Sequence, residues 1–138
     1  MNKEDKALLI KDLCTRLPYN VMCQVEFKED GKYNSKVMLL SGIFTDEAYF
    51  TTKGGSIYSN EYKPYLFPLS SMTDKQKREY NMLRDFVYTH HYEYEDIVED
   101  ADLYDNWASI DYLNANHFDY RGLIPMGLAI DATGKNIY

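Results

Sequence analysis

The chain predicts an α+β domain. It should run as an N-terminal helix, a four-stranded antiparallel meander with a small open barrel as its rolled form, and two or three C-terminal helices. Three observations carry that expectation. Apolar and polar residues alternate through 21–62, the period of half-buried strands. Apolar residues recur at helical spacing in 3–17 and again in 73–90. Gly, Pro and Asp-Gly steps punctuate the chain where one period gives way to the other.

The first helix is expected over residues 3–17. Asn2 can cap it, and Glu4 and Asp5 sit in its first turn, where the helix dipole favours anions. Leu9, Leu13 and Leu17 repeat at i+4, with Ile10 and Cys14 widening the stripe, and Pro18 ends the pattern. Val21, Cys23, Val25 and Phe27 then alternate with Met22, Gln24 and Glu26 as a first strand. Asp30-Gly31 marks a tight hairpin, because a type I′ turn needs positive φ at both central residues. Tyr33–Leu40 is the returning strand, ending near Gly42. Ala48–Thr52 is a third strand, Lys53-Gly54-Gly55-Ser56 a second turn, and Ile57–Tyr62 a fourth strand. Gly54-Gly55 lacks the spacing of a phosphate-binding loop and reads as a plain turn.

Residues 63–72 change the pattern. Pro64 and Pro68 each lack an amide donor and hold the preceding residue extended. Tyr65, Leu66, Phe67 and Leu69 are too apolar for a solvated linker. The stretch therefore reads as an extended junction sealing two halves of one core. Thr73-Asp74-Lys75-Gln76 has the form of a capping box for a helix running to about His90, with Tyr80, Leu83, Phe86 and Val87 on its buried stripe. Residues 93–105 read as irregular, with a short helical turn. Asn106 can cap a further helix carrying Trp107, Ile110 and Leu113. Phe118 and Leu123 can staple a turn capped by Asp119, Leu128–Ile130 return as a short strand, and 134–138 read as a tail.

A length of 138 residues is that of one domain, taken as 1–138. The composition is that of a globular chain, with 27% charged and 45% hydrophobic residues. Its fourteen tyrosines suit shallow cores and contact surfaces, because each buries a ring and keeps a polar tip. A net charge of −7 opposes non-specific binding to nucleic acid or to an anionic membrane. No apolar run is long enough to span a bilayer. Cys14 and Cys23, with no CxxC spacing, suit a reducing cytoplasm and are expected to be free thiols.

No catalytic, metal or cofactor site is expected. His90, His91 and His117 lack zinc-ligand spacing. The loop at Asp100, Asp102 and Asp105 lacks the glycine and glutamate of an EF-hand. Ser70-Ser71 has no nucleophile-elbow context. One stretch stands out: between Arg84 and Arg121 there is no Lys or Arg, against ten Asp and Glu. A solvated face is its bland reading. Its functional reading is a partner-binding surface made by Tyr94, Glu95, Asp96, Glu99, Asp100, Asp102, Tyr104 and Asp105, since aromatic anchors ringed by charge resemble an interface core and rim. The expected partner is a basic protein surface, such as the groove of a nucleic-acid enzyme. The expected function is that of a cytoplasmic interaction module, not an enzyme. Two alternatives stand beside it: a small enzyme or ligand-binding domain with a site between meander and helices, and a single-stranded nucleic-acid binder stacking bases on Tyr49, Phe50, Tyr58 and Tyr62.

The segments KALLIKDLCTRLPYNV, KPYLFPLSSMT and LNANHFDYRGLIPMGLAIDA resemble a family of small uncharacterised proteins encoded in gut Bacteroidales genomes, often in prophages and mobile elements. The family more often carries Glu-Lys where this chain has Pro125-Met126. The resemblance implies a cytoplasmic accessory protein of phage or mobile-element origin and assigns no catalytic residue.

Overall fold

The computed structural model describes the backbone of residues 1–45, 47–91 and 101–138, and the side chains of these except 85–91 and 101–106. Helix α1 spans Lys3–Arg16, and the Asn2 side chain accepts from the Asp5 amide as expected of a cap. Leu9 and Leu13 are fully buried. Cys14 is not part of that stripe: it is exposed, and the buried companions of the leucines are Asp12 and Arg16. A 3-10 turn at Leu17–Tyr19 follows, and Asn20 adopts left-handed geometry at φ 58°. Cys14 and Cys23 are free thiols.

Strands β1 (Met22–Glu29) and β2 (Lys32–Ile43) form the expected hairpin, with φ of 51° at Asp30 and 75° at Gly31. β2 runs past Gly42, which sits at a bulge where the register to β3 (Ala48–Thr52) shifts between Leu40 and Gly42. The absence of a side chain does not end the strand there, because a bulge accommodates the extra residue. The expected fourth strand, Ile57–Tyr62, is two strands. β4 (Gly55–Ser59) pairs with β3, the chain breaks at Asn60, and β5 (Glu61–Pro68) pairs with β1. Ser59 Oγ donates to the Glu26 carbonyl at 2.6 Å and so fastens the break to β1. The expected count of four is therefore too low, and no ladder joins β4 to β1, so the sheet does not close into a barrel.

The junction at 63–72 is mostly strand. β5 carries it to Pro68, and Leu69–Ser71 form a 3-10 turn with Leu69 exposed instead of sealing a core. Two short strands join β5 in parallel, β6 (Phe118–Asp119) at Phe67–Pro68 and β7 (Ile130–Asp131) at Tyr65–Leu66. The result is an open seven-stranded sheet in the order β4-β3-β2-β1-β5-β6, with β7 also on β5. Its inner face packs Val25, Met38, Leu40, Phe50 and Leu66 against Leu9 and Leu13 of α1 and against Leu123, Leu128 and Ala129.

Helix α2 (Asp74–His91) begins with the expected capping box. The Gln76 amide donates to Thr73 Oγ1 at 3.1 Å, and the Thr73 amide donates to Gln76 Oε1 at 2.9 Å. Helix α3 (Ala101–Ala115) starts ahead of Asn106, so Asn106 lies within the helix and does not cap it. The Asp119 carboxylate accepts from the Leu123 and Ile124 amides at 2.9 and 2.8 Å, and Phe118 and Leu123 are buried beside it. Turns follow in place of a helix, and the returning strand is Ile130–Asp131. The expected tail is tied in. Tyr138 accepts from the Met22 amide at 3.0 Å and donates to the Tyr65 carbonyl at 2.7 Å. Among the described residues no helix is long and apolar enough to cross a membrane.

Candidate functional site

Two groupings of polar side chains stand out among the described residues: the α2–α3 hairpin and a buried charged clip. The clip comes from α1. Residues 12 and 16 lie one turn apart on the face turned to the C-terminal segment. Asp12 Oδ2 accepts from Arg16 Nε at 2.7 Å, with both side chains fully buried. Arg16 also donates to the Phe118 carbonyl at 2.7 Å, which ties α1 to β6. Arg121 Nε lies 3.2 Å from Asp12 Oδ1. That is ion-pair range, but its N–H is not aligned on an acceptor. The Tyr120 ring lies 4.8 Å from the Arg16 guanidinium and 5.2 Å from that of Arg121. Its hydroxyl donates to Asn114 Oδ1 at 2.9 Å. Both carboxylate oxygens of Asp12 accept from Arg16, which also holds the Phe118 carbonyl, so the clip joins elements together. It has no periodic signature in the sequence; an Asp and Arg at i,i+4 is the one local hint.

His117 sits beside the clip with φ 61°, its ring stacked on Tyr138 at 3.6 Å and 10°. Burial, and then the nearby Arg16 charge, lower its pKa to about 4. It is neutral at neutral pH, and its Nδ1 is buried without a hydrogen-bond partner. Among the described residues no three His, Cys, Asp or Glu side chains converge as metal ligands. His90 and His91 lie outside the described side chains.

The expected partner-binding residues divide. Tyr94, Glu95, Asp96, Glu99 and Asp100 lie outside the described residues. Asp102, Tyr104 and Asp105 fall on the first part of α3, their side chains outside the description. The helix continues with Trp107, 59% exposed, and with Asp111, also exposed. α3 is held to α2 by Tyr112, whose hydroxyl donates to Glu79 at 2.8 Å and whose ring lies 6.3 Å from that of Tyr80. Burial and the Glu79 carboxylate push the Tyr112 phenol up to about 12.

The four meander aromatics do not share a face. Phe50 and Tyr62 point into the core with rings 5.4 Å apart. Tyr49 and Tyr58 lie on the open face, 5.0 Å apart, where they are joined by Phe44, which the alternation did not single out. A cleft of about 830 Å³ opens where the first turn of α1, β1, β5 and residues 126–130 meet. A smaller one of about 290 Å³ lies among Phe67, Gln76, Asn116 and Tyr138.

No family model, curated protein or solved structure matches this chain.

Proposed function

We propose that the chain is a small protein-interaction module that engages a basic protein surface through α3 and the acidic segment leading into it. A cytoplasmic setting and a phage or mobile-element origin accompany this reading, on the resemblance alone. The observation that carries it is the run from Arg84 to Arg121, ten acids with no Lys or Arg. The described end of that run supports the reading. There Trp107 and Asp111 are exposed on a helix that packs chiefly on α2 and also touches α1 and β6. An aromatic anchor within a charged field is the composition of an interface centre and rim. Regular carboxylates can also stand in for phosphates on a basic groove, so the basic surface of a nucleic-acid enzyme fits. Steering by such a field makes association fast and salt-sensitive.

The test is association kinetics with a partner purified on the wild-type chain. Lysine at positions 100, 102 and 105 should slow association at least tenfold, and added salt should weaken wild-type binding. Equal association by that variant, with its fold intact, would remove the proposal. The Phe44, Tyr49 and Tyr58 cluster favours one second reading, base stacking on the open face. That reading requires wild type to bind a thymidine oligonucleotide and Tyr58→Ala to lose it; the first requires no oligonucleotide binding at all.

A further inference from the structure

The two ends of β5 show which way its backbone groups point. The Glu61 amide donates to Ser59 Oγ at 3.0 Å, and that hydroxyl is bound to Glu26 on β1. The Tyr65 carbonyl accepts from Tyr138, which is bound to Met22 on β1. Residues 61 and 65 therefore face β1. Backbone groups alternate between the two edges along a strand, so Tyr62, Pro64 and Leu66 face the opposite edge. β7 lies there: the Leu66 carbonyl accepts from the Ala132 amide at 2.8 Å. Pro64 has no amide to leave unpaired on that edge, which is why a proline fits in the strand.

β7 does not continue along the edge towards Tyr62. The Leu128 and Ala129 amides are turned to the Leu123 carbonyl, at 2.9 and 3.3 Å, and the chain bends away. Among the described residues no strand lies beside Tyr62 on that edge, and Tyr62 lines the 830 Å³ cleft. Met126, 46% exposed, lines the apolar side of the cleft together with the buried Leu128. The cleft as a whole carries three carboxylates, Asp5, Glu26 and Glu61, against Lys6 and Lys63. On the outer side Glu26 and Glu61 stand directly opposite each other in adjacent strands. Like charges in that position repel. Among the described residues neither makes an ion pair.

We infer that the edge of β5 at Tyr62 is a docking site for a short extended peptide of alternating apolar and basic residues, which adds to the sheet in line with β7. Main-chain hydrogen bonds to Tyr62 anchor it, as in strand addition generally. Side chains of an added strand alternate between faces. One set rests on Leu128 and Met126, and the other places a cation beside Glu61 and relieves the Glu26–Glu61 repulsion. Met126 suits an adaptable wall, because methionine repacks at low cost. The site is independent of α3 and of the acidic segment.

The experiment is an amide NMR titration of the full chain with three capped peptides: Val-Lys-Val-Lys-Val, the same peptide with alternate amides N-methylated, and Val-Glu-Val-Glu-Val. The first should give saturable shifts at the Tyr62 and Leu128 amides. The other two should bind at least tenfold more weakly, and Glu61→Lys should reverse the preference between the lysine and glutamate peptides. If Glu61→Lys disturbs the remaining spectrum, Glu26→Gln takes its place and should weaken the lysine peptide alone. No saturable shift at Tyr62, or equal binding of the N-methylated peptide, overturns the proposal. So does a Tyr62 shift that follows protein concentration without peptide, which would mean that a second copy of the chain fills the edge.

Discussion

The sheet with α1 and the hairpin of α2 and α3 are built on opposite principles. Burial alternates along β1 and β3, and Val21, Cys23, Val25, Ala48 and Phe50 are fully buried. Along α2 from Asp74 to Arg84 no residue is buried, and Met82 is 69% exposed. The sheet is held by area removed from water, which is large and non-directional. Tyr112 ties α3 to α2 through Glu79 and Tyr80, and the buried residues of the described hairpin, Ser109, Leu113 and Asn114, all lie on α3. Burial is therefore concentrated in the sheet and α1, and the described part of α2 contributes little of it.

Substitutions can break or sharpen that contrast. The largest loss is expected from Arg16→Met, which leaves the buried Asp12 with only the misaligned Arg121. About 3–5 kcal/mol should disappear from the urea unfolding free energy. Asp12→Leu combined with Arg16→Met should recover much of it, because the charge that then loses its partner, Arg121, is 24% exposed. A single variant within 1 kcal/mol of wild type by that measurement would show that the clip is solvated. Phe50→Ala, at a fully buried ring, should also cost about 3–5 kcal/mol. A loss of that size on the hairpin instead would reverse the comparison.

Tyr138→Phe is expected to cost about 1–2 kcal/mol, since one hydroxyl serves both the Met22 amide and the Tyr65 carbonyl. An unchanged melting temperature would return 134–138 to the status of a tail. His117 adds a pH dependence. Its folded pKa of about 4 lies below the ordinary imidazole value of 6.5, so folding favours the neutral ring. The contribution is complete above pH 6.5 and is lost as pH falls from there through 4. Comparing unfolding of wild type and His117→Phe across that window should show a shallower acid slope for the variant. Parallel curves would mean that His117 titrates normally. The smallest effect is expected from Met82→Ala, within about 0.5 kcal/mol by thermal unfolding, as for an exposed site. A loss beyond 2 kcal/mol would mean that α2 is packed against something more than α3.

Much of the fold was legible because its rules are short-ranged. The Asn2 cap, the Thr73–Gln76 box, the Asp30-Gly31 turn and the Asp119 cap each act over five residues or fewer. Strand alternation is equally local, since the pleat repeats every two residues. The candidate binding residues were legible as composition and nothing more. Only Asp102, Tyr104 and Asp105 fall on a described element, and their grouping came from charge counting.

What the sequence determined by itself was the identity and ends of most elements, through caps, turns and periodicity. Tertiary structure alone decided the rest. It broke the expected fourth strand at Asn60 so that β5 could leave β3's side of the sheet and pair with β1. It buried Asp12 and Arg16, whose partner carbonyl at Phe118 lies 102 residues away. It tied Tyr138 to Met22 across 116 residues. A helical or strand period records which face of an element is apolar. It carries no record of which distant group will meet that face, and buried charges and strand partners depend on that meeting.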